Sequence, residues 1–191
     1  MAVIVVAERE IHAKIVYYGP GLSGKSTNLA WIYEQLPLEG RSDLVSIDTE
    51  EERTLFFDFL PIAVNQVGDY RLRLHLYTVP GQERFASTRA AMLRGVDGIV
   101  FVVDAQRDRV AENARSLDEL NQHLSQQGRT LEAIPLVLQY NKQDLANALT
   151  KPQLDEQFNP RGVPAIIASA TSGHGVANTL QLIVQGVIRD L

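Results

Sequence analysis

The chain has 191 residues, 45% of them hydrophobic, a formal net charge of -5 and no cysteine. This length and apolar content suit one domain, expected to span residues 1–191 with a sizeable core of its own. Without cysteine there are no disulfides, thiolate metal sites, cysteine nucleophiles or thioether and thioester lipid anchors, and the acidic balance argues against nucleic acid as a partner.

No apolar run approaches the roughly 18 residues of a membrane-spanning helix. The opening MAVIVVAERE lacks the basic region and longer apolar segment of a secretory signal. A cytoplasmic protein is expected, with any attachment to a membrane or cell pole running through a partner or a surface patch.

In chain order, apolar runs alternate with helical patterns. AVIVV (2–6) and AKIVYYG (13–19) read as strands, and a helix is predicted from about Ser26 to Leu36. The gap from Pro37 to Glu52 is polar. LFFDFLP (55–61) is apolar and aromatic and is assigned in part to a core strand. AVNQVG (63–68) is predicted to turn into Asp69–Arg73 as a hairpin. RLRLHLYTV (71–79) alternates as a half-buried strand does. A helix is predicted over about Ser87–Arg94, then the dense strand GIVFVVDA (98–105), then a helix over about Ala111–Gln127. IPLVLQYNK (134–142) and VPAIIASA (163–170) are the last strands. A final helix over about Val176–Ile188 places Val176, Leu180, Ile183, Val184, Val187 and Ile188 near helical spacing. Strands alternating with helices predict a three-layer α/β fold, with the hairpin as an antiparallel edge on a mostly parallel sheet.

GPGLSGKS (19–26) matches the phosphate-loop pattern G-x-x-x-x-G-K-[ST] in full, between a strand and a helix. Gly19, Gly21 and Gly24 allow a tight turn around oxygen-rich ligand atoms. Backbone N–H groups of Leu22, Ser23, Lys25, Ser26 and Thr27 are the expected cradle, at a helix N-terminus. Lys25 is expected to reach the β- and γ-phosphates, and Ser26 to place its hydroxyl on Mg²⁺.

YNKQD (140–144) follows a dense strand and therefore lies at the carboxyl end of the sheet. Asp144 can accept two hydrogen bonds from the N1–H and N2–H₂ edge of guanine, a donor pair that adenine lacks. Asn141 can tie this loop to the phosphate loop, and the stem of Lys142 can cover a face of the base. In ASATSGHG (168–175), Ser169 and Ala170 are expected under the base, with the Ala170 N–H meeting guanine O6 and Thr171 a further nucleotide-binding residue. His174 is assigned to the loop surface and Trp31 to helix packing.

GPGLSGKS, VPGQ, NKQD and SAT, in this order, resemble the Ras-like small GTPases over nearly the whole chain. KIVYYGPGLSGKSTNL, ERTLFFDFLP, LYTVPGQ and RGVDGIVFVVD are more similar still to the bacterial mutual gliding-motility GTPases. The resemblance implies a Ras-like P-loop NTPase G domain. Its sheet would have six mostly parallel strands, an antiparallel edge strand among them, and AVIVV as an additional N-terminal strand.

Small GTPases usually carry Asp-x-x-Gly-Gln at the switch that follows the RLRLHLYTV strand. This chain has Thr78-Val79-Pro80-Gly81-Gln82, so Thr78 stands at the position of the acid that holds a Mg²⁺-bound water. The gliding-motility GTPases share this Thr-Val-Pro-Gly pattern. A hydroxyl can still hold such a water, without charge; a weaker metal site and compensation by Asp48 or Glu50 are both open. Gly81 keeps an N–H for the γ-phosphate, and the amide of Gln82 can orient the attacking water. The other switch needs a threonine on Mg²⁺. Thr49 and Thr54 qualify by type, and the resemblance favours Thr54. It also implies that Arg53 supplies an intrinsic guanidinium to the transferring phosphoryl group.

The implied activity is Mg²⁺-dependent binding and hydrolysis of GTP to GDP and phosphate, slow unless a partner stimulates it. The implied output is cell polarity or surface motility, through effectors of that pathway. The implied activator is a homodimeric roadblock/LC7-like protein, with Phe56, Phe57, Phe85 and Met92 as candidate anchors. The chain itself is expected to be a monomer. Two alternatives stand beside this reading. One is a nucleotide-locked scaffold with little hydrolysis, motivated by Thr78. The other is a trafficking or signalling GTPase of another branch, whose lipid-anchored form the cysteine-free QGVIRDL disfavours.

Overall fold

The computed structural model describes residues 2–36, 59–81 and 85–191. Among these, strands β1 (Val3–Val5), β2 (Glu10–Tyr18), β3 (Phe59–Val67), β4 (Tyr70–Thr78), β5 (Gly98–Asp104), β6 (Leu136–Asn141) and β7 (Ala165–Ile167) form one sheet. The order across it is β3-β4-β2-β5-β6-β7, with β1 paired to β2. β4, β2, β5, β6 and β7 run parallel to one another, whereas the β3–β4 and β1–β2 pairs are antiparallel. The register explains where β1 fits. β4 pairs with β2 from Glu10 to Tyr17, while β5 pairs with it only from Ile15. The β5-side edge of Glu10–His12 is therefore open, and β1 fills it with Val3 opposite His12.

Among the described residues, five helices cover the faces: α1 (Lys25–Gln35), α2 (Ala86–Met92), α3 (Val110–Gln126), α4 (Lys151–Phe158) and α5 (Val176–Arg189). Successive strand side chains point to opposite faces, so the adjacent Tyr17 and Tyr18 enter different cores. Tyr17 packs in the core with Leu29 and Ile32 of α1 and Ile183 and Val187 of α5. Tyr18 packs with Phe101, with Leu120 and Leu124 of α3, and with Leu154 and Phe158 of α4. These two apolar layers make the three-layer sandwich. All seven residues of β5 are buried, as an interior parallel strand requires. In β4 the alternation holds: Leu72, Leu74 and Leu76 are buried, while Arg71 is exposed and Arg73, His75 and Tyr77 are half-buried.

Three elements differ from the sequence expectation. The hairpin's first strand begins at Phe59 rather than Ala63 and runs through Pro61, which lies opposite His75. An edge strand tolerates proline because one side of it makes no ladder bonds. The helix α4 has no counterpart in the apolar pattern. Its signal is a Thr-x-x-Gln cap: the Thr150 N–H donates to Gln153 Oε1 at 3.0 Å. Ile188, counted on the apolar stripe of the last helix, is exposed, while Thr179 is buried in its stead.

Candidate active site

The phosphate loop leaves β2 at its carboxyl end and enters α1. Gly24 has φ +95°, and a Cβ there would sit 2.2 Å from Nδ2 of Asn141, so only glycine fits the turn and the approach together. Leu22 also lies in the left-handed region, at φ 63°. The Lys25 ammonium is buried and donates to the carbonyls of Gly19 (3.0 Å) and Pro20 (2.7 Å). The Asn28 N–H donates to Gly24 O at 3.0 Å, so the N–H groups of Lys25, Ser26 and Thr27 precede the first intrahelical bond. Among the described residues, the buried Ser23 hydroxyl has no hydrogen-bond partner. A lysine ammonium, a helix N-terminus and an orphaned buried hydroxyl in one concave loop suit a phosphate chain and its cation.

Below the loop, Asn28 of α1 and Gln139 of β6 exchange side-chain amide bonds at 2.8 Å each. Gln139 also donates to Thr179 Oγ1 at 3.1 Å. These buried bonds lock the start of α1 to the centre of the sheet and to α5.

The two base-side loops follow β6 and β7. Asn141 is buried and joins three segments: its Nδ2 donates to Ser23 O at 2.7 Å, and its Oδ1 accepts from the Ala170 N–H at 2.8 Å. The expected tie from Asn141 to the phosphate loop is present. The Ala170 N–H, expected at a guanine O6, donates to Asn141 here. Gln143 N–H donates to Ala168 O at 3.1 Å, a second link between the loops. Asp144 is exposed, and the Ser169 hydroxyl beside it holds its carboxyl below the ordinary range. Ser169 Oγ also lies 3.2 Å from Thr171 Oγ1. The Lys142 ammonium reaches back 2.7 Å to Asp104 Oδ2 at the end of β5.

On the other side, Thr78 ends β4 fully buried, opposite Tyr17. Gly81 lies against Gly21. Thr49, Arg53, Thr54 and Gln82, and with them Asp48, Glu50, Phe56 and Phe57, lie outside the described residues. Met92 packs against the second core, and Trp31 packs over Gly173 of the last base-side loop.

Each of these segments follows the carboxyl end of a strand, where open α/β sheets bind ligands. A model of the ADP-ribosylation factor family matches residues 40–187. The mutual gliding-motility protein MglA of Myxococcus xanthus (strain DK1622) is 46% identical over 191 residues, spanning 100% of this chain and 98% of that protein. The chain belongs to the ADP-ribosylation factor family of Ras-like small GTPases. Ras-related protein RabC of Dictyostelium discoideum is 25% identical over 94% of the chain and 86% of its own length. Ras-related protein Rab-27A of Mus musculus is 26% identical over 77% of the chain and 65% of its own length. The family match begins beyond the phosphate loop, and the full-length relative covers that loop. As a Ras-like small GTPase, the chain binds guanine nucleotide and hydrolyses GTP.

Three polar residues of this small GTPase's site escaped the sequence reading. Asp104 is 1% exposed, and Asn113 of α3 brackets it, accepting from its N–H (2.9 Å) and donating to its carbonyl (2.8 Å). Arg109 donates to Gly21 O at 3.2 Å. Arg89 of α2, buried, donates to Pro80 O at 3.0 Å and pairs with Glu119 of α3. Asp104 had a signal, an acid closing a dense strand at the ligand edge. Arg89 and Arg109 had none, because arginines on helical segments are ordinarily solvated.

Proposed function

We propose that the chain is a Mg²⁺-dependent GTP switch for bacterial cell polarity or surface motility, activated by a homodimeric roadblock/LC7-type partner. The observation that carries the nucleotide reading is the Asn141 bridge, which unites the phosphate loop with both base-side loops. The full-length identity to a protein named for mutual gliding motility supports the cellular role. Recruitment to a pole would then run through partners; no helix among the described residues is long and apolar enough to cross a membrane.

In this reading Asp144, kept ionised beside Ser169, accepts from the guanine N1–H and N2–H₂ edge, and the stem of Lys142 covers the base. Lys25 turns from the Gly19 and Pro20 carbonyls to the β- and γ-phosphates. The hydroxyls of Ser26 and Thr54 hold Mg²⁺, with Thr49 as the alternative to Thr54, and Thr78 acts through a water. When bound, Mg²⁺ would supply positive charge that offsets the charge of the phosphates. The Gly81 N–H contacts the γ-phosphate. Gln82 orients the attacking water, and Arg53 stabilises charge on the transferring group. Hydrolysis resets the surface that effectors read.

Single-turnover GTP hydrolysis with Mg²⁺, with and without a homodimeric roadblock/LC7-type protein, tests this. Strong stimulation that disappears in Arg53→Ala and Gln82→Ala is the expected result. Tight GTP binding with no hydrolysis in either condition would favour a nucleotide-locked scaffold, with Thr78 the first residue to restore to aspartate.

A further inference from the structure

We infer that Arg109 is a positioning residue for the phosphate loop, holding the Gly21–Leu22 peptide so that its N–H faces the bound phosphates. The inference rests on the reading of residues 19–26 as the nucleotide's phosphate cradle. Arg109 closes the short 3-10 turn Arg107–Arg109 between β5 and α3, and three groups converge on its guanidinium. Nη2 donates to Gly21 O at 3.2 Å, across 88 residues of chain. Nη1 pairs with Glu112 Oε1 at 3.3 Å, one turn along α3. Nε lies 3.8 Å from Asp104 Oδ2. The planar fork is thus aimed by two carboxylates, and its remaining donor meets the loop.

The carboxylate behind it does not move freely. Asp104 is held by Asn113 on both sides of its backbone, its Oδ1 accepts from the Gln106 N–H at 3.2 Å, and its Oδ2 takes the Lys142 ammonium at 2.7 Å. One buried carboxylate therefore anchors the base-covering lysine and the arginine that touches the phosphate loop.

The consequence for the loop follows from peptide geometry. In a planar trans peptide, C=O and N–H point in opposite directions. With the Gly21 carbonyl turned outward to Arg109, the Leu22 N–H is turned the other way. Leu22 occupies the left-handed region at φ 63°, which a side chain resists, so the local backbone preference does not by itself secure this peptide. A flipped peptide would present a carbonyl where phosphate oxygens need a donor. Gly81 lies against the Gly21 nitrogen and Cα, so the switch approaches Gly21 ahead of the peptide whose carbonyl the arginine takes.

Dissociation of a fluorescent GDP analogue from the full chain with Mg²⁺ is the test. Arg109→Ala is expected to release it about tenfold faster, the size of one lost charge-assisted bond. Arg109→Lys, which keeps a donor and the charge, is expected to recover part of the difference. The ratio of GDP to IDP affinity is expected to stay unchanged, because it reports on Asp144 and the base edge. Wild-type release rates in Arg109→Ala would overturn the inference alone. Loss of GDP-over-IDP discrimination in step with faster release would also overturn it, by placing the effect on the base loop. Should Arg109→Ala fail to fold, Arg109→Lys and Arg109→Gln carry the same comparison, and release at the wild-type rate in both overturns it. Failure of the unaltered chain to retain GDP would overturn the nucleotide reading itself, and this inference with it.

Discussion

Gly81 approaches Gly21 so closely that a Cβ on Gly81 would sit 2.3 Å from the Gly21 Cα and 2.5 Å from its nitrogen. The reverse is not true: among the described residues, a Cβ on Gly21 would meet Gly81 no closer than its carbonyl oxygen at 3.4 Å, an ordinary contact. The obstacle to Gly81→Ala is backbone, which cannot rotate aside. Gly81→Ala is therefore expected to push the switch off the phosphate loop and slow single-turnover GTP hydrolysis at least roughly tenfold, the effect of one lost donor to the transition state. GDP affinity should change far less. Equal hydrolysis rates in Gly81→Ala and the unaltered chain would show that this contact plays no part in the reaction.

Asn141→Ala removes both bonds of the bridge and strands the Ser23 carbonyl and the Ala170 N–H in a buried setting. Each stranded group costs about 1–3 kcal/mol. Isothermal titration should show GDP binding weakened roughly 10- to 100-fold. If thermal stability falls while affinity is preserved, Asn141 is a folding residue only.

Gly173 has φ +80°, and a Cβ there would lie 2.1 Å from Nε1 of Trp31, the single tryptophan. Gly173→Ala combines backbone strain of about 1–2 kcal/mol with displacement of the indole. Gly162 has a similar φ of +64° with nothing within 4 Å, so Gly162→Ala carries the strain without the clash. Tryptophan emission should shift to the red in the first variant and stay unchanged in the second. A shift in both would mean that strain alone loosens the fold.

A pH effect follows from the polar row on β2 and β4. His12 Nδ1 and His75 Nε2 are 2.9 Å apart, His12 Nε2 faces Glu10 at 3.1 Å, and Arg73 holds Glu10 at 2.6 Å. Burial first, then the neighbouring His12 and Arg73, push the His75 imidazole below its usual range. The unfolded chain, with an ordinary histidine near 6.5, takes up the proton before the folded one. Stability is thus fully present above about pH 6.5 and declines as pH falls towards the lower folded value. His123, shifted the same way chiefly by burial, adds to the slope. Melting temperature followed from about pH 8 to about pH 5 should fall less steeply in His75→Gln. An unchanged slope would remove His75 from the account.

The sequence by itself determined the layers and the ligand's chemistry. Alternation in RLRLHLYTV and the density of GIVFVVDA report which faces are buried, and those patterns are local. GPGLSGKS was legible for the same reason: its glycines and its Lys-Ser pair act within one turn of chain. Only the tertiary structure decided which loops meet. Strand order and register bring Asn141 to Ser23 across 118 residues and Arg109 to Gly21 across 88. They also set Gly81 on Gly21 and bring the Ala170 N–H to Asn141. No local pattern encodes such meetings, because each depends on where two separate strands end in the same sheet.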